Sequence, residues 1–494
     1  MVARFVILLL YKEYRLAPKE QPLRSDLVIL TILVNHKSEI ATPNSKIYGL
    51  IDCLVFTSSA TAQLLDFIPI WYIFGGQMSQ STLRTAIVGS GFTGLFTALY
   101  LSHLGYKGQI ILIDRSERFV FKPLLFEFLN GQMDANQVWP QYEELLQGSG
   151  VTFVQDTVEQ IDLAGRKIEL ASGLHYTYTH LVLAVGSTVG YFGTPGAEAY
   201  SFPFRSGLDV LALRQHLRQS LQRASQIEDS QLRQKLLTIA IIGAGPTGVE
   251  LANTLADLLP NWYATLGGNP HEIRLVLMNR SQNILSGDVN ACLRETAYAA
   301  LQKHVVPVEL LTGAAVTALD SGKVEYTRDD QPAVLEAETM IWTAGTAINP
   351  LVKKLPIPDE QRDKQGRPFV TPALNLVGYP EVFAGGDCVT LLKPEPALAQ
   401  VAYQQAKAIA RNLVAVSAGE KPKASRIFLR GTLMKLGTQE AAAEIFNKHE
   451  VKGRIGHAIR QLTYLEMLPT PVHNLKVTTE WLSEEVFHHA KNLV

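Results

Sequence analysis

Between residues 84 and 114 the chain changes hydrophobic rhythm twice. An apolar run, "RTAIV", leads into a glycine-spaced turn, "GSGFTG". Apolar positions at helical spacing then continue through "LFTALYLSHLG", and a second apolar run, "QIILID", closes the segment. Unbroken apolar runs of this length suit strands covered on both faces, and the three-to-four spacing suits a helix. The pattern therefore predicts strand, tight turn, helix, strand. It recurs in "LLTIAIIGAGPTGVELANTLADLL" followed by "EIRLVLMNRS". Three later runs, "LVLAVGST", "MIWTAGT" and "EVFAGGDCVTL", read as strands ending in small residues.

The glycines give the pattern its chemistry. Gly89 permits the turn, Gly91 lets a pyrophosphate approach the backbone, and Gly94 allows close helix–strand packing. Asp114 ends the second strand, where an acid accepts from ribose hydroxyls. Gly243, Gly245 and Gly248 repeat the arrangement, but the matching strand ends at Asn279 and Arg280. A neutral amide followed by an arginine suits a 2′-phosphate, so use of NADPH as well as NADH is expected. The strand ends at Ala184 and Gly186, and at Ala344 and Gly345, admit a cofactor close to the backbone. Gly386 and Asp387 sit where a carboxylate can accept from the ribityl chain of FAD. The expected fold class is α/β, with two Rossmann-like dinucleotide-binding domains and a C-terminal tail bearing an amphipathic helix. The FAD domain carries the NAD(P)H domain as an insertion.

Glu250 lies two positions after Gly248, at the start of the helix that receives a pyrophosphate. An acid there gains about 0.3–1 kcal/mol from the helix dipole. It also stands beside an anionic ligand, which points to a hydrogen-bond acceptor or proton relay at the nicotinamide–flavin junction. Gln400, Gln404 and Gln405 open a helix behind Pro394 and Pro396, with 400 and 404 on one face. They form a candidate edge for an electron acceptor.

The expected organisation is an N-terminal extension over 1–80, FAD-domain segments over 81–195 and 351–424, and an NAD(P)H domain over 196–350. A C-terminal region over 425–494 follows. The first 77 residues hold no catalytic constellation, and translation is expected to start at Met78, behind a Gly75-Gly76 pair. The run "LVFTSSATAQLLDFIPIWYIFGG" is interrupted by Asp66 and Pro69, so it makes a poor spanning helix. A net charge of −1 gives no field favouring nucleic acid. Cys53, Cys292 and Cys388 are too widely spaced for a disulfide framework or a zinc site, and no metal is expected.

Taken together these runs resemble the type II NADH dehydrogenases, the single-subunit NAD(P)H:quinone oxidoreductases. "ERFVFKPLLFEFLNGQ" is similar to the family's stretch beside the flavin, which adds Lys122 and Pro123 to the expected FAD contacts. "GSTVGYFGTPG" is similar to its interdomain link, "GAGPTGVELA" carries its Glu at Glu250, and "AQVAYQQ" matches its quinone motif. The wording is most like that of cyanobacterial members. The resemblance implies non-covalent FAD, hydride from NADH or NADPH, two electrons to a quinone, and no proton pumping. It implies catalytic roles for Glu250 and Gln404, with Gln400, Gln404 and Gln405 at the quinone.

The expected partners are a quinone, a membrane surface and a second copy of the chain, with peripheral placement on the cytoplasmic side of a membrane. If the tail does not dock there, a cytoplasmic protein is expected. Ile455, Ile459, Leu462, Leu465 and Leu468 recur at helical spacing near Arg454, His457 and Arg460, as in a basic amphipathic helix lying on a membrane. A helix packed on its own flavin domain or on a partner subunit fits the same pattern. Asn279, where relatives carry an acid, leaves coenzyme preference open. The rival readings are a slow redox sensor that binds FAD and NAD(P)H, a reductase for an iron–sulfur protein, and a sulfide:quinone oxidoreductase.

Overall fold

The computed structural model describes residues 83–287, 289–445 and 449–479. The expectations for residues 1–82, the Met78 start and Cys53 among them, lie outside the described residues. From Leu83 onward the chain builds two parallel sheets of one design. The first runs, in spatial order, Asn375–Leu376, Tyr379–Ala384, His180–Leu183, Arg84–Val88, Gln109–Asp114 and Val151–Gln155. All its pairs are parallel except the edge hairpin at Asn375–Leu376. The second runs Val308–Thr312, Arg274–Asn279, Thr238–Ile242, Thr339–Trp342 and Phe202–Pro203, all parallel.

The apolar runs form central strands because both of their faces are covered. Ile87, Leu112, Ile113, Ile241 and Leu277 are completely buried. Each such side chain contributes about 1.5–3 kcal/mol relative to exposure. In both sheets the strand before the glycine turn pairs on one side with the next strand and on the other with a strand from much later in the chain. That reversal of order opens a crevice at the carboxyl ends of the strands, where nucleotides bind. Each unit also carries a three-stranded antiparallel ribbon before its returning strand, at residues 158–177 and 314–336.

Two connecting strands, Ser187–Val189 and Thr346–Ile348, pair antiparallel and join the units. The C-terminal part adds an antiparallel sheet of Gly431–Lys435, Ala441–Ile445 and His449–Val451, followed by the helix Gly453–Glu466. Helix and sheet approach closely at Gly456, where an added Cβ would lie 2.3 Å from the Ala441 carbonyl oxygen. This sheet clasps the helix Pro246–Thr265, since Asp257 Oδ2 accepts from the Thr438 amide at 2.6 Å.

One expectation needs correction here. Arg460 is not on a basic surface but completely buried, and Leu465 and Leu468 are buried with it, while Ile455 is half exposed. The helix turns Arg460 inward because an acid, Glu127, waits inside. Among the described residues no helix is long and apolar enough to cross a membrane.

Candidate functional site: two nucleotide cradles and a buried charge cluster

The two glycine turns match contact for contact. Gly89 has φ +91°, and a Cβ there would lie 2.6 Å from the Ala184 carbonyl oxygen. At Gly94 a Cβ would lie 1.8 Å from the Gly89 oxygen, so only glycine lets the helix Phe92–His103 seat. Gly91 meets nothing within 4 Å and faces open space. In the second turn Gly243 has φ +108° and packs on Ala344, a Cβ on Gly248 would lie 1.9 Å from the Gly243 oxygen, and Gly245 again faces open space.

The strand-end residues match too. Asp114 Oδ2 accepts the Ser90 amide at 2.7 Å, and Asn279 Oδ1 accepts the Ala244 amide at 3.4 Å. Asn279 Nδ2 donates to the Ser281 and Asn283 carbonyls, while Arg280 is exposed. Ser90 Oγ is buried without a partner, so the first turn retains an unused polar atom at the cradle. Open glycines at the head of a long helix, with an anchored strand end beside them, fit FAD in the first cradle and NAD(P)H in the second.

A cluster of buried charge faces the second cradle. Glu127 Oε1 accepts from Lys435 Nζ at 2.8 Å and from Arg460 at 2.5 Å, and all three side chains are completely buried. Glu250 Oε1 accepts the Lys435 main-chain amide at 2.8 Å. Burial pushes the Glu250 carboxyl up to about 7, against the opposing pull of Arg460. Burial also works to raise Glu127, but Arg460 and Lys435 outweigh it and hold that carboxyl down at about 2. The two acids are thus pushed in opposite directions: paired cations hold Glu127 down, and burial raises Glu250.

The fold is similar to that of a solved structure, NDH2 from Plasmodium falciparum in complex with NADH. The TM-score is 0.73 at 17% identity, over 82% of this chain and 98% of that one. The family model for pyridine nucleotide-disulphide oxidoreductases matches residues 83–406. The alternative NAD(P)H-ubiquinone oxidoreductase C1 of Arabidopsis thaliana is 32% identical, over 81% of this chain and 80% of its own length. Demethylphylloquinone reductase NdbB of Synechocystis is 31% identical, over 84% of this chain and 99% of its own length. The chain belongs to the pyridine nucleotide-disulphide oxidoreductases, among the type II NAD(P)H:quinone oxidoreductases.

As a member of that type II group, the chain brings most of the expected residues together. Asp387 accepts from Ser187 Oγ at 3.2 Å, and Ser187 in turn accepts from Arg205 at 3.0 Å. Lys122 lies near both Arg205 and Asp387. Burial, and then Arg205, lower its ammonium to about 8, with Asp387 opposing. Lys122 is nevertheless open to water, so it is crowded by protein but accessible, as a side chain lining a deep cleft is. Pro123 meets the charge cluster, its carbonyl accepting from Arg460 at 2.7 Å. Gln405 Oε1 accepts the Gly386 amide at 2.7 Å, coupling the glutamine helix to the Gly-Gly-Asp loop.

Gln400 and Gln404 behave differently from Gln405. Gln400 accepts from the Arg430 amide and donates to the Gly431 carbonyl. Gln404 accepts from the Phe428 amide and donates to the Phe428 carbonyl. Their amides pin residues 428–431, the approach to the C-terminal sheet. Cys388 is buried, donates to the Leu183 and Gly385 carbonyls, and has its thiol pushed up to about 12. Cys292 is exposed and donates to Glu450 at 2.7 Å. Sequence reasoning missed Arg205, Glu127 and Lys435, and put Arg460 on a surface. A usable signal was present for two of them: Glu127 in "LLFEFL" and Lys435 in "LMKLG" are lone charges within apolar runs, which burial tolerates only when they are paired.

Proposed function

We infer that the protein is an NAD(P)H:quinone oxidoreductase that holds FAD non-covalently and pumps no protons. The observation that carries this is the pair of matched cradles on one chain, with the Glu250 carboxyl at the head of the second cradle's helix. FAD, when bound, supplies the redox chemistry, accepting hydride from the nicotinamide and giving two electrons to the quinone. The protein's own residues do the rest. Gly91 and Gly245 admit the pyrophosphates, Asp114 and Asn279 hold the ribose ends, and Lys122, Gly186, Gly386 and Asp387 line the flavin side. Ala344 and Gly345 flank the nicotinamide side, and Arg280 meets a 2′-phosphate, so NADPH serves as well as NADH.

The quinone is taken near the start of the glutamine helix. A concavity lined by Arg367, Asp387, Thr390, Glu395, Leu398 and Gln405 supports that placement. Gln404 and Gln400 shape its rim by fixing residues 428–431, and Glu250 supplies or collects a proton as the acceptor is reduced. Peripheral attachment to a membrane uses exposed apolar side chains of the C-terminal part, among them Phe428, Ile455, Val472 and Leu475. Sedimentation with lipid vesicles tests the attachment, and light scattering tests for a dimer.

The deciding experiment uses the purified flavoprotein and follows NADH and NADPH oxidation with and without a soluble quinone. Oxidation that depends on quinone is expected. Oxidation indifferent to quinone overturns the reading.

A further inference from the structure

We propose that Arg460, on the C-terminal helix, is a positioning residue of the reaction centre. Through Glu127 and Lys435 it sets the charge that Glu250 feels, and so ties the proton on Glu250 to the seating of that helix. The inference rests on the functional reading of Glu250 given above.

Arg460 is completely buried, on a helix whose first turn is exposed at Arg454 and Ile455. Its guanidinium makes three kinds of contact at once. One nitrogen donates to Glu127 Oε1 at 2.5 Å, another donates to the Pro123 carbonyl at 2.7 Å, and the group stacks 4.8 Å from the Tyr464 ring centre. Lys435 shares the same Glu127 oxygen through its side chain and reaches Glu250 through its main-chain amide. The contacts form a continuous chain from the C-terminal helix through the flavin-side segment to Glu250.

A buried ion pair is a poor way to fasten a helix. Apolar residues of similar volume often fasten as well or better, because removing two charges from water can cost more than their attraction returns. The charge therefore calls for a use beyond packing, and the nearest group able to use it is Glu250. The groups facing Glu250 are Arg460 and Tyr464 from the C-terminal helix, Glu127 from the helix Leu125–Asn130, and Lys435 from the strand Gly431–Lys435. His457 faces the same cluster from one turn earlier. Burial holds it neutral, at about 4, so it adds no charge at neutral pH. Two cations and one anion, Glu127, therefore surround Glu250, and the two ends of the Arg460–Glu127 pair push its proton in opposite directions.

That opposition supplies the test. The infrared carbonyl band of the protonated Glu250 carboxyl, identified by its loss in Glu250→Gln, is followed against pH in the holoenzyme. The pH profile of quinone turnover is recorded alongside. Arg460→Met removes a cation and should raise the Glu250 midpoint by roughly one pH unit or more. Glu127→Gln removes the anion and should lower it. The double variant should fall between the singles, close to the wild-type midpoint, and Arg460→Lys should stay near wild type.

Damage to packing alone moves both singles the same way, and that result overturns the proposal. An unmoved midpoint in either folded single overturns it as well. If Arg460→Met does not fold, Glu127→Gln and the double variant carry the test: the double must titrate above Glu127→Gln, and equal midpoints overturn the proposal. If the wild type shows no band that Glu250→Gln removes, the Glu250 reading itself fails and this inference falls with it.

Discussion

Glu250 Oε1 accepts the main-chain amide of Lys435 at 2.8 Å, so the second cradle's helix and the C-terminal sheet meet at an ionisable group. Burial raises that carboxyl from its ordinary 4.5 to about 7. Glu250→Gln is expected to slow quinone-dependent turnover by about 10²–10⁴, as loss of a proton-transfer group does, and to abolish any pH limb near 7. The stability sign follows from the direction of the shift. A carboxyl raised in the folded state stabilises below 4.5 and loses that contribution as pH rises through about 7. The melting temperature of Glu250→Gln relative to wild type should therefore increase between pH 5 and pH 8. A flat difference across that window contradicts the raised carboxyl.

The two kinds of glycine in the first cradle should fail in different ways. Gly91 faces open space with φ −67°, which any residue adopts, so Gly91→Val should fold with a near-normal melting temperature yet purify without flavin absorbance. At Gly94 the added Cβ would press on the Gly89 carbonyl, so Gly94→Ala should lower the melting temperature itself. Gly245→Val should leave flavin in place and raise the KM for NADH.

Coenzyme choice separates Arg280 from its neighbour. Arg280 is exposed, and Arg280→Ala should raise the KM for NADPH several-fold while leaving that for NADH unchanged. Asn279→Asp is not a simple route to NADH preference, because the Asn279 amide donates to two carbonyls, those of Ser281 and Asn283. A carboxylate there faces two acceptors, which costs about 1–3 kcal/mol. Thermal melts and paired NADH and NADPH kinetics on both variants check this.

Lys122 combines accessibility with a lowered ammonium, at about 8. In flavin-free protein it should be acylated well below the pH at which ordinary surface lysines react. Saturating FAD should protect it. Peptide mapping by mass spectrometry after limited acylation at pH 8, with and without FAD, reads both effects.

Much of this architecture is legible in the residues themselves, because the local signals agree with the global fold. "RTAIVGSGFTG" and "TIAIIGAGPTG" announce strand, turn and helix through backbone sterics alone, and both fold that way. Asp387 and Gln405 also fall where short runs put them, after a strand and on a helix start. The charge cluster is not, because Glu127 lies more than 300 positions before Lys435 and Arg460 and meets them only through tertiary packing. Arg460 misleads most, since apolar residues around it at helical spacing imitate a surface helix. "AAAEI" misleads in another way. Alanine favours helix locally, yet Ala441, Ala442 and Ala443 are completely buried in a central strand, paired with Gly431–Lys435 and His449–Val451.

The paired connectors Ser187–Val189 and Thr346–Ile348 carry one further consequence. Because they run side by side, the inserted nucleotide unit leaves and re-enters its host at neighbouring points, about 5 Å apart across the ladder. Such a unit behaves as a cassette. A foreign coenzyme module whose own ends lie equally close can be spliced at this ribbon without rethreading the host sheet. The first glycine cradle, the Asp387 loop and the glutamine helix would remain to receive whatever donor the new module brings.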